Sequence, residues 1–346
     1  MKTKALFGKK YLDLTVRELE LPPLDGNQVL VKVKACGVCG TDLNFVRDWN
    51  DAPMPLGHEI AGEVFEVGRE VTGFAPGDRV IVEDCALCGV CTDCKSGNTH
   101  LCRNMFDMGG RPGMSEYMVI HANNLNKFDG MDDVSACMTE PLAVAFTAVI
   151  DADIPLGGSV MVFGPGPIGL MTAKLARLRG AGFVGITGTP ADTPLRRSRL
   201  ELAGKLGCDL IVQAGPQSIE EEVKKQFPRG VDRVIVTSPP QSMRDAFKII
   251  RFGGIITFLG LSFGGKNVID FDVNAAIFNK TTLRPVFAEP AANFPAAAAL
   301  LKSRMVDAAL FQPHCCSFDT AADTMRSVLE GTAPVIKPVF LPWGGK

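Results

Sequence analysis

The chain has 346 residues, 46% hydrophobic and 21% charged, so it is too long for one small core and too apolar for extended disorder. Its net charge of −2 comes from 36 basic and 38 acidic residues without a block of one sign, which argues against nucleic acid or an anionic membrane as a partner. No apolar run approaches the ~18 residues of a membrane span, and early charges interrupt any signal-peptide core.

Short alternating segments dominate the first part of the chain. Apolar and polar residues alternate over 29–34, 63–67, 79–83 and 117–120, and glycine or proline separates these runs. Such spacing is typical of antiparallel strands joined by tight turns. We therefore predict a small β-rich domain over residues 1–145.

Five of the eleven cysteines fall between Cys85 and Cys102. The spacing of Cys88, Cys91, Cys94 and Cys102 allows four thiolates to close a tetrahedral zinc shell, which is a structural site. The alternatives are a chance cluster of buried thiols and a register that uses Cys85. We predict a structural zinc in a lobe of residues 85–103. Since an odd cysteine count makes a poor disulfide framework, we expect a reducing, cytoplasmic location.

A second candidate metal site involves residues that lie apart in the sequence. Cys39 is followed 18 residues later by Gly57-His58-Glu59, and thiolate, imidazole and carboxylate are the ligands of a catalytic zinc with one open position. Separately each residue has an ordinary structural explanation. Glu140 lies in an apolar stretch, where a carboxylate needs a nearby cation unless it only caps a helix. Together these residues predict a catalytic zinc.

From residue 159 the sequence alternates apolar strands with helical stretches. The predicted strands are 159–163, 182–187, 210–212, 233–237 and 255–259, and the helices are 170–179, 196–206, 218–227 and 243–251. This rhythm predicts a parallel, doubly wound α/β sheet over 146–285. Residues 286–346, with helices at 294–303 and 320–329, are expected to return to the first domain.

A glycine motif lies between the first of these strands and its helix. It comprises Gly164, Gly166, Pro167, Ile168 and Gly169, in the G-x-G-x-x-G pattern that lets a pyrophosphate approach the backbone. The alternative is a plain glycine turn. The placement after a strand and before a helix predicts a dinucleotide site.

The end of the second strand bears on cofactor choice. Gly188 and Thr189 stand where an acidic residue would hold the ribose of NAD. Thr189 with Arg196, Arg197 or Arg199 could instead hold a 2′-phosphate. The alternative is that these arginines begin a solvated helix. The pattern slightly favours NADP over NAD.

The segments GVCGTD, PLGHEIAGEV, GVCTDCKSGNTHLC, MTEPLAVA and VFGPGPIGL occur in this order. They resemble the zinc-containing medium-chain dehydrogenases, in the branch of sorbitol, threonine and other polyol dehydrogenases, over nearly the whole chain. The resemblance implies a GroES-like β-rich catalytic domain and a Rossmann cofactor domain. It further implies two zinc ions per chain and a homodimer or homotetramer.

Individual residues take roles from this resemblance. It places the catalytic zinc on Cys39, His58 and Glu59, with Glu140 binding directly or through water, and the structural zinc on the four-cysteine loop. Thr41 matches a hydroxyl that passes the alcohol's proton outward. Asn44 stands where members with a long proton relay often have histidine, which leaves the outer relay open.

The expected activity is reversible NAD(P)-linked oxidation of a secondary alcohol in a polyol, sugar, cyclitol or amino alcohol to the ketone. We predict that the substrate pocket is lined by Asn44, Phe45, Trp49, Phe287 and Glu289. One alternative is a simple alcohol dehydrogenase or aldehyde reductase, which should have a wholly apolar pocket. Another is a non-enzymatic zinc- and nucleotide-binding sensor. The complete ligand set argues against the sensor.

Overall fold

The computed structural model describes residues 1–262, 266–287 and 291–344. Among these, residues 1–143, 291–330 and 337–344 form one compact unit, and residues 144–262, 266–287 and 331–336 form another. The second unit begins two residues before the predicted boundary at 146. It also includes 331–336, a segment that the sequence analysis placed in the C-terminal return.

The secondary structure is numbered along the chain. The strands are β1 Lys2–Lys9, β2 Asp13–Glu20, β3 Gln28–Gly37, β4 Met54–Pro55, β5 Glu59–Val67, β6 Arg79–Val82, β7 Cys85–Ala86, β8 Phe106–Asp107, β9 Tyr117–His121, β10 Leu125–Lys127, β11 Ser159–Phe163, β12 Phe183–Gly188, β13 Leu210–Gln213, β14 Val231–Val236, β15 Ile250–Phe258, β16 Thr282–Pro285, β17 Pro313–Cys316 and β18 Lys337–Phe340. The helices are α1 Gly40–Asn44, α2 Thr92–Lys95, α3 Asp133–Ala136, α4 Thr139–Asp151, α5 Pro167–Leu178, α6 Pro194–Lys205, α7 Ile219–Gln226, α8 Met243–Ile249, α9 Val273–Phe278, α10 Phe294–Lys302 and α11 Ala321–Glu330.

The first unit is built around β3, whose alternating apolar side chains enter the core. β3 pairs with β5 in antiparallel fashion, so that Gly37 lies opposite Glu59. On its other side β18 pairs with β3 near the same end, with Val339 opposite Gly37. The central sheet has the order β10-β6-β5-β3-β18-β17, with β9 also paired to β3. Three segments therefore meet around Gly37: the end of β3, the first residue of β5, and β18. Together they position the site described below.

The second unit is a six-stranded parallel sheet of order β13-β12-β11-β14-β15-β16. Strand order reverses beside β11, because β12 lies on one side of it and β14 on the other, and ligands bind at such a switch point in open α/β sheets. The predicted parallel, doubly wound sheet is confirmed. The predicted end of the helix at 251 and the predicted start of the following strand at 255 are both wrong. α8 ends at Ile249, because Ile250 already pairs with Val231 as the start of β15.

Within the residues that the structure describes, one helical stretch is long and apolar enough to cross a membrane. Asp133–Asp151 has 19 residues and a mean hydropathy of 1.4, so the expectation that no run approaches a span was too strict. However, 67% of its most apolar window is buried inside the protein. The stretch therefore has the burial of a core helix.

Candidate functional site

The four-cysteine loop brings its thiols into one cluster. The Sγ atoms of Cys88 and Cys102 lie 3.5 Å apart, those of Cys88 and Cys94 3.9 Å, and those of Cys91 and Cys102 4.0 Å. A tetrahedron with Zn–S bonds of ~2.3 Å has edges of about 3.8 Å, so these distances fit a zinc ion. Cys85 is outside the cluster and pairs with Asp107 in the β7–β8 ladder.

Short turns of backbone create this arrangement. The N–H of Cys91 donates to Cys88 Sγ at 3.4 Å, and the N–H of Cys94 donates to Cys91 Sγ at 3.5 Å. Such bonds stabilise thiolates, and hydrogen bonds from backbone amides lower the pKa of Cys88 to about 6. The backbone therefore favours the thiolate of Cys88, whereas burial and the neighbouring cysteines raise the pKa of Cys94 to about 12.

The second site begins where β3 ends. Cys39 caps the N-terminus of α1, and its Sγ accepts a hydrogen bond from the N–H of Thr41 at 3.4 Å. The carboxylate of Asp42, 2% exposed, accepts from the N–H of Cys39 at 3.1 Å and from the N–H of Gly57 at 3.0 Å. Asp42 therefore ties the Cys39 loop to the loop that carries His58. The sequence analysis missed Asp42, although its position three residues after a capping residue is a recognisable signal.

Cys39, His58 and Glu59 meet as the sequence analysis expected. Their ligand atoms all lie within 4.8 Å of one another. Gly37 faces Glu59 across the β3–β5 ladder, and a Cβ on Gly37 would overlap the Glu59 carboxylate. The glycine therefore leaves the space that this carboxylate occupies.

Lys337 was not predicted, although it completes this cluster. Its side chain is buried and forms an ion pair with Glu59, and its Nζ donates to the carbonyl of Val38 at 3.2 Å. A buried carboxylate is costly unless it is paired, so Lys337 stabilises the charge of Glu59. The only sequence signal was a lysine in an otherwise apolar strand.

The site carries a surplus of negative charge. Glu140, 4% exposed in the first turn of α4, has a pKa well above its ordinary value because of burial and the charges of Asp84, Glu59 and Cys39. Burial alone would lower the pKa of His58, but the neighbouring anions, chiefly Cys39, raise it well above the ordinary value. Both shifts favour the protonated form, which brings less negative charge into the site. A divalent cation offsets that charge directly, and the S, N and O donors present are those that zinc uses in catalytic sites.

Three of the five residues predicted to line the substrate pocket lie close together in the structure. Asn44 ends α1, and Phe45 and Trp49 belong to the π-helical turn that follows, with ring centroids 5.9 Å apart. Phe287 is exposed in the second unit, and Glu289 lies outside the described residues. The pocket assignment stays a prediction.

The glycine motif of the second unit forms a tight turn from β11 into α5. Gly164 has φ = +102°, and Gly166 precedes Pro167, the first residue of α5. A Cβ on Gly169 would collide with the carbonyl oxygen of Gly164 and lie 2.7 Å from Thr237 Oγ1. This is the close strand–helix packing that a dinucleotide turn requires, and it exposes the N-terminal amides of α5 to a phosphate.

The close packing around position 188 also favours a glycine there. A Cβ there would lie 2.8 Å from Pro165 Cγ and 2.9 Å from Leu200 Cδ2. Among the candidate arginines, Arg196 bonds Asp192 at 2.6 Å and Arg197 is exposed. Arg199 has a buried Nε without a partner among the described residues, and burial lowers its pKa to about 10. Among the candidate arginines, Arg199 is therefore the one with a buried side-chain donor that has no partner within the described residues.

Family comparisons match both units. Residues 25–130 match the alcohol dehydrogenase GroES-like domain, and residues 167–303 match the zinc-binding dehydrogenase domain. The chain is 33% identical to an L-threonine 3-dehydrogenase of Vibrio cholerae, with 99% of this chain and 100% of that protein covered. The chain belongs to the zinc-containing medium-chain dehydrogenases.

Solved structures of this family share the whole architecture. A zinc-binding dehydrogenase from Sinorhizobium meliloti, bound to NADP, superposes with a TM-score of 0.84 at 27% identity, covering 99% of this chain and 100% of that one. The 2R,3R-butanediol dehydrogenase of Bacillus subtilis gives 0.83 at 25% identity, covering 98% and 99%. The expected GroES-like and Rossmann domains are confirmed, as is a zinc-dependent, NAD(P)-linked alcohol oxidoreductase.

Proposed function

We propose that this dehydrogenase oxidises a secondary alcohol whose neighbouring carbon carries a hydroxyl or amino group, to the corresponding ketone and reversibly. The observation that carries the proposal is the convergence of Cys39, His58 and Glu59 within 4.8 Å, with Glu140 buried beside them. Threonine and butanediol, in the names of two relatives, are both secondary alcohols of this kind. Polyols, sugars, cyclitols and amino alcohols form the substrate class.

Cys39, His58 and Glu59 hold the catalytic metal in this proposal, and Glu140 binds it directly or through water. When bound, zinc acts as a Lewis acid that lowers the pKa of an alcohol at its open position. Thr41 lies in the turn that Cys39 begins and takes up the alcohol's proton. Lys337 offsets the charge of Glu59, so that less negative charge opposes loss of that proton.

The cofactor site is the turn of Gly164, Gly166 and Gly169 with the N-terminus of α5, to which Pro167 and Ile168 also belong. A nicotinamide cofactor held by this turn would supply the acceptor for the hydride that leaves the carbinol carbon. Thr189 and an arginine of α6 bind the 2′-phosphate, and the free donor of Arg199 supports this assignment. We expect NADP to serve at least as well as NAD, which a comparison of kcat/KM for the two cofactors measures.

We further propose a cytoplasmic homodimer or homotetramer. All eleven cysteines are free, as a reducing compartment allows. β16 is an edge strand, and the neighbouring α9 has no buried residue: Ile277 is 62% and Phe278 75% exposed. An exposed apolar edge of this kind favours association, and a second copy is the partner that we propose. Sedimentation velocity of the wild type and of Ile277→Asp tests it, the variant being expected to dissociate.

Activity screening tests the proposed reaction. Zinc-loaded protein is assayed for NAD(P)H formation with vicinal diols, polyols and amino alcohols, and with primary alcohols of equal size. We expect kcat/KM to be highest for the vicinally substituted secondary alcohols. A preference for simple primary alcohols or aldehydes would establish the simple dehydrogenase instead, and absence of turnover with every compound would contradict the proposal.

A further inference from the structure

The loop that follows β12 is held by a side chain of the neighbouring strand. Gln213 is the last residue of β13, and in the parallel pairing of the two strands it lies opposite Gly188, the last residue of β12. The N–H of Ala191 donates to Gln213 Oε1 at 3.0 Å. This hydrogen bond fixes the segment after Gly188, where the sequence analysis placed the ribose of the cofactor.

Gln213 is itself fixed by a tight turn. Its N–H donates to Gln217 Oε1 at 2.7 Å, and its carbonyl accepts from the N–H of Gln217 at 3.0 Å. The N–H of the next residue, Ala214, donates to the carbonyl of Gly188 at 2.8 Å. The backbone of Gln213 is therefore anchored both to its own turn and to the end of β12, which keeps its side chain beside Gly188.

The contact with Ala191 determines how the side-chain amide of Gln213 is turned. A backbone N–H can only donate, so the amide atom that faces it is the oxygen, and the NH₂ group points away from Ala191. Neither N–H of this group has a partner among the residues that the structure describes. Two unused amide donors therefore lie at the end of β13, next to the end of β12.

The surroundings of Gly188 indicate which group these donors would meet. A Cβ on Gly188 would contact Pro165 of the glycine motif and Leu200 of α6, so the end of β12 borders the turn that fits a pyrophosphate. In dinucleotide-binding folds an acidic residue at this place binds the ribose hydroxyls, and hydrogen-bond donors accommodate a 2′-phosphate. Gly188 carries no acid, and Arg199 on α6 adds a buried Nε without a partner within the described residues.

We propose that Gln213 is a specificity-determining residue for the cofactor. Its amide oxygen holds the loop at Ala191, and its amide nitrogen donates to the 2′-phosphate of NADP. A phosphate accepts such hydrogen bonds, whereas a carboxylate at the same place would repel the phosphate and accept from the ribose hydroxyls of NAD. This inference rests on the proposed function, in which NADP serves at least as well as NAD.

Titration with two fragments of the cofactor tests this role without turnover. Calorimetry gives the dissociation constants of 2′,5′-ADP and 5′-AMP for zinc-loaded wild type, Gln213→Glu and Gln213→Met. We expect the affinity ratio, 2′,5′-ADP over 5′-AMP, to fall by about 10–100-fold in Gln213→Glu, the range for a lost charged hydrogen bond. This variant keeps an acceptor for Ala191 but loses the donors and adds a negative charge. Gln213→Met adds no charge, so its ratio should fall less.

Gln217→Glu is the matched control, because it makes the same exchange in the same turn and keeps the acceptor for the N–H of Gln213. Its ratio should match that of the wild type. Equal ratios in the wild type and Gln213→Glu would overturn the role of Gln213, and so would an equal fall in Gln217→Glu. A wild type that binds 5′-AMP more tightly would refute the NADP assignment and this role together. Absence of turnover with every alcohol would refute the proposed function, while the titration would still decide the role of Gln213.

Discussion

The two candidate zinc centres of the first unit differ in how the chain assembles them. The four-cysteine loop draws every ligand from residues 88–102, and backbone amides of the same loop donate to the sulfurs of Cys88 and Cys91. The Cys39 site combines the end of β3, the start of β5, the first turn of α4 and the first residue of β18. A closed structural site can therefore be built locally. An open catalytic site needs charges and supports from distant segments, and these set its electrostatics.

Replacing one metal ligand in each centre should give the largest effects, and the effects should differ between the two centres. His58→Asn and Cys91→Ser should each reduce the zinc content from two ions per chain to one. His58→Asn should lower kcat/KM by at least about 10⁴-fold while the fold persists, because the Lewis acid is lost. Cys91→Ser should instead lower the melting temperature, because structural zinc is coupled to folding.

Metal analysis, steady-state kinetics and thermal unfolding measure the three quantities on the same preparations. A single zinc in fully active wild type would show that one of the two centres binds no metal. If Cys91→Ser lost activity without losing stability, the assignment of structural and catalytic roles would be reversed.

Removing the hydroxyl of Thr41 should give the next largest effect, a loss of kcat. This residue belongs to the catalytic centre and not to the four-cysteine loop. Thr41→Val keeps the shape and removes the hydroxyl, so we expect a loss of roughly 10²–10⁴-fold in kcat, typical of a positioned proton-transfer group. Thr41→Ser is the matched control and should retain much of the rate. Equal kcat values in the wild type and Thr41→Val, with zinc content unchanged, would show that the proton leaves by another path.

Lys337 tests whether the catalytic centre depends on a distant charge. Lys337→Met leaves Glu59 without its buried partner, which should cost about 3–5 kcal/mol of unfolding free energy in zinc-free protein. Lys337→Arg preserves the charge and serves as the control. Urea unfolding with and without zinc measures the difference. A loss below 1 kcal/mol for Lys337→Met would mean that the ion pair contributes little.

Replacing Glu83 should give the smallest effect, a change in the free energy of unfolding that depends on pH. It is buried directly after β6, and burial raises its pKa from 4.5 to about 7, although a hydrogen bond from Asn126 partly opposes this. A carboxyl with a raised folded-state pKa contributes stability that is present below pH 4.5 and is lost as the pH rises through 7. Glu83→Gln removes the titration. We expect the variant to match the wild type at pH 4.5 and to exceed it by about 3 kcal/mol at pH 8, measured by urea unfolding. A constant difference across this range would show that Glu83 keeps an ordinary pKa.

The sequence predicted the parts of the molecule that depend on local pattern. The cysteine spacing, the G-x-G-x-x-G turn and the strand–helix rhythm each act over fewer than about thirty residues, where periodicity and turn chemistry decide the outcome. The boundary at Ile250 was wrong because pairing with Val231, a tertiary contact, ended α8 early. Local propensity cannot report such a contact.

The same reasoning explains what was missed in the catalytic site. Cys39, His58 and Glu59 were recognisable as ligand types. The capping position of Asp42, three residues after Cys39, was also recognisable, but its bond to the Gly57 loop and the ion pair of Lys337 with Glu59 are tertiary contacts that no spacing rule specifies. Asp42 joins two loops, and Lys337 reaches Glu59 through the pairing of β18 with β3. Arg199 was weighed as one of several arginines, and only its burial distinguishes it.

The separation of Lys337 from Val38, 299 positions along the chain, has a consequence for synthesis in the cell. At 5–20 residues per second a ribosome needs roughly 15–60 s to travel from one to the other. During that interval Cys39, His58 and Glu59 have already been made, but the lysine that neutralises Glu59 has not. Any β3–β5 pairing that forms on the nascent chain therefore leaves Glu59 without the positive charge that it has in the finished protein. Early zinc loading would thus occur at a site with greater attraction for the metal than the mature enzyme has.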